Sequence, residues 1–428
     1  MATFNSNTRL NVTNDTTLLE LTGAPRVTTD TSTLNITRFD NGSVTIRGRN
    51  LTDLQGIVTE VTVAFSGGSA VTYSGLRVTL LDFATTSILN PSGLSAFLLD
   101  GNDRMNGSGF ADILAGFDGN DTMFGGGGND SMNGGGGRDT VDGGTGNDTL
   151  NGGSDFDRLI GDIGNDLLRG DSGNDQMFGG DGSDDLFGGS ENDQMEGGAG
   201  DDDLFGGTGN DTLIGGAGAD NLNGGAGNDL VSYVGSLVRN VIDLQGLLSN
   251  QGDAAGDVLA GIERVLGGDR VDLLYGDGTG NTLDGGNGND RLYGRSGDDI
   301  LEGGLGIDKL YGNTGSDTMT GGEGRDRFIY FREGDSRAGE ATRDTITDFD
   351  VTEDRIELSR IDADTTRGGN QAFEFQRFAA FTGEAGELRF SRVDGDTILM
   401  ADTDGDRQAD FEIVLTGAVN LQADDFLL

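Results

Sequence analysis

The 428-residue chain contains no cysteine and no histidine. Disulfides, thiolate metal sites, imidazole general bases and the histidine zinc motif of metalloproteases are therefore all excluded. Any metal must be held by oxygen. Apolar residues make up only 34% of the chain, low for a protein that relies on a large hydrophobic core. Basic side chains are also few, 28 against 73 acidic ones, for a formal net charge of -45. That balance argues against nucleic acid and anionic membranes as partners and points to cations.

No segment approaches the roughly 18 apolar residues of a membrane helix, so no membrane insertion is expected. The start, Met1-Ala2-Thr3-Phe4-Asn5, lacks the basic residues and apolar run of a cleavable signal peptide.

Glycine, by contrast, is abundant, with 79 residues. Acidic, glycine-rich chains are often disordered, because few apolar groups oppose charge repulsion and ordering entropy. The order of the residues speaks against disorder here. From about residue 98 to residue 232 the sequence repeats every nine positions. Aspartate stands at Asp103, Asp112, Asp121, Asp130, Asp139, Asp148, Asp157, Asp166, Asp175, Asp184, Asp193, Asp202, Asp211, Asp220 and Asp229. Two places after each comes an aliphatic or thioether side chain, from Met105 and Leu114 through Leu150 to Leu222 and Val231. A second run follows at Asp272, Asn281, Asp290, Asp299, Asp308, Asp317 and Asp326, with Leu274 through Phe328 in the matching positions. Asn281 is its one weak ligand.

These runs divide the chain into a β-rich segment 1–97, a first roll 98–232, an interlude 233–271, a second roll 272–328 and a C-terminal cap 329–428. Alternation in Ser43–Arg47 and Glu60–Phe65 predicts half-buried strands in the first segment. The interlude loses its glycine pairs, and Val238–Leu244 and Val258–Leu266 read as strands spliced into or beside the roll. In the cap, the turn pair Asp394-Gly395 separates strand-like Leu388–Val393 from Thr397–Ala401 and predicts a β-sandwich-like fold.

The unit Gly143-Gly144-Thr145-Gly146-Asn147-Asp148-Thr149-Leu150-Asn151 explains the period. Its glycines permit backbone angles that turn carbonyl oxygens toward one point; Gly206, Gly207 and Gly209 hold the same positions ahead of Asp211. The first six residues form a turn, and the last three are extended with Leu150 inward. Two units close a flattened coil of eighteen residues, rising about 4.8 Å. Asp130, Asp148 and Asp166 then stack on one edge, and Asp139, Asp157 and Asp175 on the other. Stacked carboxylates repel unless a divalent ion lies between them, and carboxylates with carbonyls suit Ca2+ at roughly 2.3 to 2.6 Å. One buried aliphatic side chain per nine residues cannot offset the ordering entropy of nine backbones. Folding and calcium binding are thus expected to be one transition, with on the order of 15 to 20 ions.

The repeat Gly-Gly-x-Gly-x-Asp-x-aliphatic-x resembles that of the repeats-in-toxin (RTX) family. The resemblance implies an all-β, right-handed parallel β-roll, to which the strand patterns already described add a small N-terminal β domain and a β-sandwich-like C-terminal cap. It continues through Gly321–Tyr330, Asp344-Thr345-Ile346-Thr347-Asp348-Phe349 and Asp354–Leu358, which look like the C-terminal domain of serralysin-type proteases. By that resemblance Asp335, Asp344 and Asp354 help to bind a calcium ion at the end of the roll. The tail Ala423-Asp424-Asp425-Phe426-Leu427-Leu428 is similar to that family's uncleaved type I secretion signal. The protease half of the family needs zinc-binding histidines, so proteolysis is not expected here.

Asp402–Asp410 resembles the opening of an EF-hand loop, but Arg407 replaces the required glycine and Ile413 the bidentate glutamate. A further calcium site and a solvated hairpin turn both remain open. Asn-x-Ser/Thr triplets such as Asn147-Asp148-Thr149 are by-products of the repeat and say nothing about glycosylation. Paired carboxylates carry no glycosidase signal where aspartate tiles a lattice.

The leading expectation is a secreted bacterial protein, exported unfolded through type I machinery and folded by calcium outside the cell. There it would be a non-enzymatic matrix, surface-layer or adhesive component, with itself or surface glycans as partners. The alternative is a secreted hydrolase or epimerase, or its accessory, whose active site would lie in residues 1–97. That segment offers Asp15, Glu20, Asp30, Asp40, Asp53, Glu60 and Asp82, but no catalytic spacing.

Overall fold

A computed structural model describes residues 102–107, 109–339 and 341–428, and the backbone of six strands before them. Those strands, Leu19–Glu20, Arg26–Thr29, Thr33–Thr37, Ser43–Arg49, Ile57–Ala64 and Ala70–Thr79, pair antiparallel in sequence order. Of the two stretches with alternating polarity, Ser43–Arg47 falls in Ser43–Arg49 and Glu60–Ala64 in Ile57–Ala64, while Phe65 lies outside the described residues. The acidic side chains of this segment, from Asp15 to Asp82, lie outside the described residues.

The chain forms two compact units. One comprises Met1–Ala217 with Gly224–Gly227, the other Gly218–Asn223 with Asn228–Leu428. Among the described residues helix is limited to single 3-10 turns, Gly252–Ala254, Glu333–Asp335 and Ala423–Asp425.

In the repeat part of the first unit, from Arg104–Asn106 to Gln194–Ala199, each strand pairs in parallel with the strand eighteen residues on. Thr122–Gly127, Thr140–Thr145, Arg158–Ile163 and Gln176–Asp181 lie in one sheet. Ser131–Gly136, Thr149–Ser154, Leu167–Ser172 and Asp185–Ser190 lie in the other. In-register neighbours such as Leu150 and Leu168 stack beneath one another. The buried ladder Met123, Val141, Leu159, Met177 and Met132, Leu150, Leu168, Leu186 is the core. Strand alternation puts Thr149 and Asn151 on the opposite face from Leu150.

The extended part is longer than the three residues expected. Thr149–Ser154 runs six residues, through the glycine pair, because Gly153 stays in register with Gly135 and Gly-free Asp171 in the neighbouring coils. The turn is compressed into the remaining residues, where Gly146 has φ 129°. A side chain disfavours such an angle.

The second unit is built in the same way. One sheet runs through Leu230–Ser232, Arg264–Leu266, Thr282–Asp284, Ile300–Gly306, Thr318–Gly324 and Asp344–Ile346. The other runs through Val241–Asp243, Leu273–Tyr275, Arg291–Ser296, Lys309–Thr314, Arg327–Ile329 and Arg355–Glu357. Residues 233–271 therefore supply strands in register with the repeats. Asp243, fully buried, is held there by Arg295, with contacts of 2.7 and 3.0 Å.

At the C-terminal end Phe411–Leu415 pairs in parallel with Asp344–Ile346, and Phe426–Leu427 with Arg355–Glu357. The hairpin Glu387–Val393 with Asp396–Asp402 turns at Asp394 and Gly395, both at positive φ, as a two-residue hairpin loop requires. Tyr330 meets Phe411 edge-on at 5.2 Å, and both rings are buried.

Candidate metal centre

Each repeat aspartate stands two residues before an inward Leu, Met, Val or, at Phe328, Phe, where the turn re-enters the strand. All are buried: Asp148 is 2% exposed and Asp157 fully covered. A uniform bond links successive coils. The amide of Asp103 donates to Oδ1 of Asp121, and that of Asp112 to Oδ1 of Asp130, both at 2.7 Å. The same bond recurs from Asp121 to Asp139, Asp130 to Asp148, Asp139 to Asp157 and Asp148 to Asp166. It continues from Asp157 to Asp175, Asp166 to Asp184, Asp175 to Asp193, Asp184 to Asp202 and Asp193 to Asp211.

In the second unit the corresponding donors and acceptors are Asp272 to Asp290, Asn281 to Asp299, Asp290 to Asp308, Asp299 to Asp317 and Asp308 to Asp326. The series ends with Asp317 to Asp344 at 3.0 Å and Asp326 to Asp354 at 2.9 Å. Two acidic residues outside the nine-residue count take the same place. Asp220 donates to Asp257 at 3.0 Å and Asp229 to Glu263 at 2.9 Å. Their spacings of 37 and 34 residues leave no periodic signal.

One carboxylate oxygen is thus used by the fold. The other, Oδ2, is buried without a hydrogen-bond partner in every ninth residue from Asp121 to Asp193, and again in Asp290, Asp299, Asp308, Asp317 and Asp326. A buried, unpaired charged oxygen is costly. These oxygens face the first glycine of their own turn. A Cβ on Gly285 would stand 2.7 Å from both Asp290 Oδ2 and the carbonyl oxygen of Gly303, one coil on. Gly143 and Gly206 face Asp148 Oδ2 and Asp211 Oδ2 in the same manner, while Gly144, Gly207 and Gly209 take φ of 95°, 109° and 137°. A repeating cradle of carboxylate and carbonyl oxygens, with no nitrogen or sulfur donor, fits a hard divalent cation such as Ca2+.

Burial is the main reason that these carboxyls resist ionisation. It pushes Asp157, Asp193 and Asp299 up to about 8, and Asp139, Asp166 and Asp290 up to about 7. Neighbouring carboxylates add to the effect, as Asp139 and Asp175 do on Asp157. A nearby divalent charge would act in the opposite sense.

Asp335 lies outside the columns, with its carboxylate taken by the amides of Phe331 and Arg332 and by the Arg332 guanidinium. Asp402, Asp404 and Asp410 bring carboxylate oxygens within 4.8 Å of one another. Asp402 accepts from Gly405 and Arg407 amides, and Asp410 from Thr403, so two of the three already tie the turn.

An oxygen-lined, acidic parallel β-roll is the class that fold and site define. The family described as Peptidase M10 serralysin C terminal matches residues 4–428, and the chain belongs to it. The match is to the RTX repeat region of serralysins and not to their protease domain. Repeats of this family bind Ca2+ in general, and its domains belong to secreted proteins.

Among solved structures, an R subunit of the mannuronan C5-epimerase from Azotobacter vinelandii is 30% identical, covering 37% of this chain and 78% of its own, with a TM-score of 0.21. A second R subunit of that epimerase is 32% identical, covering 37% and 89%, also at 0.21. The extracellular lipase LipA from Serratia marcescens is 17% identical, covering 58% of this chain and 40% of the lipase, at 0.19. Comparison with curated protein sequences finds no match. Among the described residues no helix is long and apolar enough to cross a membrane.

Proposed function

We propose that this chain is a calcium-folded secreted protein with a structural, non-enzymatic role in an extracellular matrix, surface layer or adhesive coat. The observation that carries the reading is the row of buried Oδ2 atoms, from Asp121 to Asp193 and from Asp290 to Asp326, that find no partner in the protein. Bound Ca2+ would neutralise these carboxylates and join each coil to the next, at roughly 15 to 20 positions if the turns are filled. The chain's own part is to hold Oδ1 on the preceding coil's amide, leaving Oδ2 beside the turn carbonyls. The glycines keep that space clear of side chains.

In a calcium-poor cytosol such a lattice of like charges would stay unfolded and fit for export through type I machinery. At the 10⁻⁴ to 10⁻³ M affinities of extracellular modules, ambient calcium would then fold it. Self-assembly or glycan contact outside the cell is the finer part of this reading. Circular dichroism with light scattering during a calcium titration tests both stages. The expected result is a cooperative gain of β signal followed by growth in mass. Equal β content in excess chelator would refute the folding switch, and a strict monomer that ignores glycans would refute the assembly role.

A further inference from the structure

The aspartate turns are of two kinds. In the first, described above, Oδ2 is left over. In the second, it is closed by an amide four residues earlier in the same turn. Gly268 donates to Asp272 Oδ2 at 2.7 Å, and Asp350 to Asp354 Oδ2 at 2.9 Å. Phe331 donates to Asp335 Oδ2 at 2.8 Å, and Asp277 to Asn281 Oδ1 at 2.8 Å. A fifth aspartate, Asp257, is closed by a side chain instead, the buried hydroxyl of Tyr233 at 2.7 Å.

Backbone geometry accounts for the division. In the open turns other than that of Asp317, where Gly315 lies outside this region, the fourth position of the nonapeptide is left-handed: Gly146 has φ 129° and Gly306 146°, and even Asp155 and Glu191 are held at 73° and 76°. The turns before Asp272 and Asn281 carry Arg270 and Thr279 there, and neither adopts a positive φ. Their preceding strands, Arg264–Leu266 and Leu273–Tyr275, stop after three residues instead of entering the glycine pair. The amides of Gly268 and Asp277 are thereby released from the sheet and bend back to the carboxylate or carboxamide. Where a short strand, Thr282–Asp284, precedes an open turn, the equivalent amide of Gly286 is taken by Asp284 Oδ1, and Asp290 Oδ2 stays unpaired.

We propose that the self-closed turns at Asp257, Asp272, Asn281, Asp335 and Asp354 hold no calcium, so that the ions occupy two separate ladders, one along Asp121–Asp193 and one along Asp290–Asp326. An N–H aimed at the oxygen from inside the turn satisfies it and places a positive dipole where the cation would sit. Within the folded roll the closed turns then act as metal-free joints between the two ladders. This revises the role that resemblance implies for Asp335 and Asp354, and it rests on the calcium reading of the open turns.

Anomalous scattering from crystals of the full chain grown in CaCl2 tests the assignment. Calcium peaks are expected beside Asp148, Asp166 and Asp308, with none bonded to Asp272, Asn281, Asp335 or Asp354. A peak bonded to Asp272 or Asp354 overturns the inference while leaving the calcium reading intact; absence of peaks beside Asp148 and Asp166 overturns both. In solution, Asn281→Asp should leave the number of calcium ions per chain, measured by atomic emission, unchanged, whereas Asp299→Asn should lose at least one. A gain of an ion by Asn281→Asp would refute the closed-turn assignment.

Discussion

The main-chain amide of Asp130 donates to Oδ1 of Asp148, 2.7 Å away and one coil further on. The same carboxylate keeps its second oxygen buried and unpaired. One side chain thus ties two coils together and presents an acceptor for something the protein does not supply.

Asp148→Ala removes both features at once. The expected cost is about 1 to 3 kcal/mol for the stranded Asp130 amide, together with the loss of a metal oxygen. Quasi-linear arrays confine such damage to adjacent coils. Hydrogen exchange in calcium should accelerate around Asp130 and Asp166 and stay unchanged around Asp290–Asp326. Uniform acceleration along the chain would contradict local stacking.

In chelator the roll should respond to pH through its burial-raised carboxyls. Asp157, Asp193 and Asp299 titrate near 8 when folded against 3.8 for the ordinary group. The folded state binds more protons between these values, so the stability they contribute is fully present below about pH 4 and is lost progressively as pH rises to about 8. Acidifying a metal-free sample from pH 8 to pH 4 should restore β signal by circular dichroism. No recovery, in a sample that stays in solution, would count against these raised values.

Gly285→Ala places a methyl group against Asp290 Oδ2 and the Gly303 carbonyl, both 2.7 Å from the new carbon. Overpacking of this kind costs roughly 1 to 3 kcal/mol, and it should also raise the calcium concentration needed for folding. Gly109→Ala is the control, since a Cβ there meets nothing within 4 Å. Equal midpoints for the two variants in calcium-dependent dichroism would rule out the cradle.

Tyr233→Phe deletes the hydroxyl that closes Asp257. With Asp257 Oδ2 then buried and unsatisfied, about 1 to 3 kcal/mol should be lost in urea unfolding at saturating calcium. A neutral substitution would mean that water or an ion replaces the hydroxyl.

Much of the site was legible in the primary structure, because a side chain repeated every nine residues must recur at the same height on a coil of eighteen. The columns through Asp121, Asp139 and Asp157, and through Asp130, Asp148 and Asp166, follow from that count alone. Asp257 and Glu263 were not legible, because the excursions before them break the count while the parallel pairing of Val258–Ala260 and Arg264–Leu266 restores the register. Nor does the repeat show the length of the extended part, because glycine, a turn residue by its conformational freedom, continues the ladder in Thr149–Ser154.

Periodicity, acidity and the lack of nitrogen and sulfur ligands determined by themselves that the chain forms stacked turns of oxygen around a thin apolar ladder. Only the tertiary structure decided which oxygens are left over. Asp272 and Asp290 look alike as letters in the repeat, yet one is closed by Gly268 and the other is not. The strands before both turns end six residues ahead, at Leu266 and Asp284, so the difference lies in where the freed amide points: Gly268 donates to Asp272 Oδ2, Gly286 to Asp284 Oδ1. The sequence marks the spot, with Arg270 where the Asp290 turn has Gly288, but only the folded backbone, left-handed at Gly288 and not at Arg270, shows which oxygen the amide reaches.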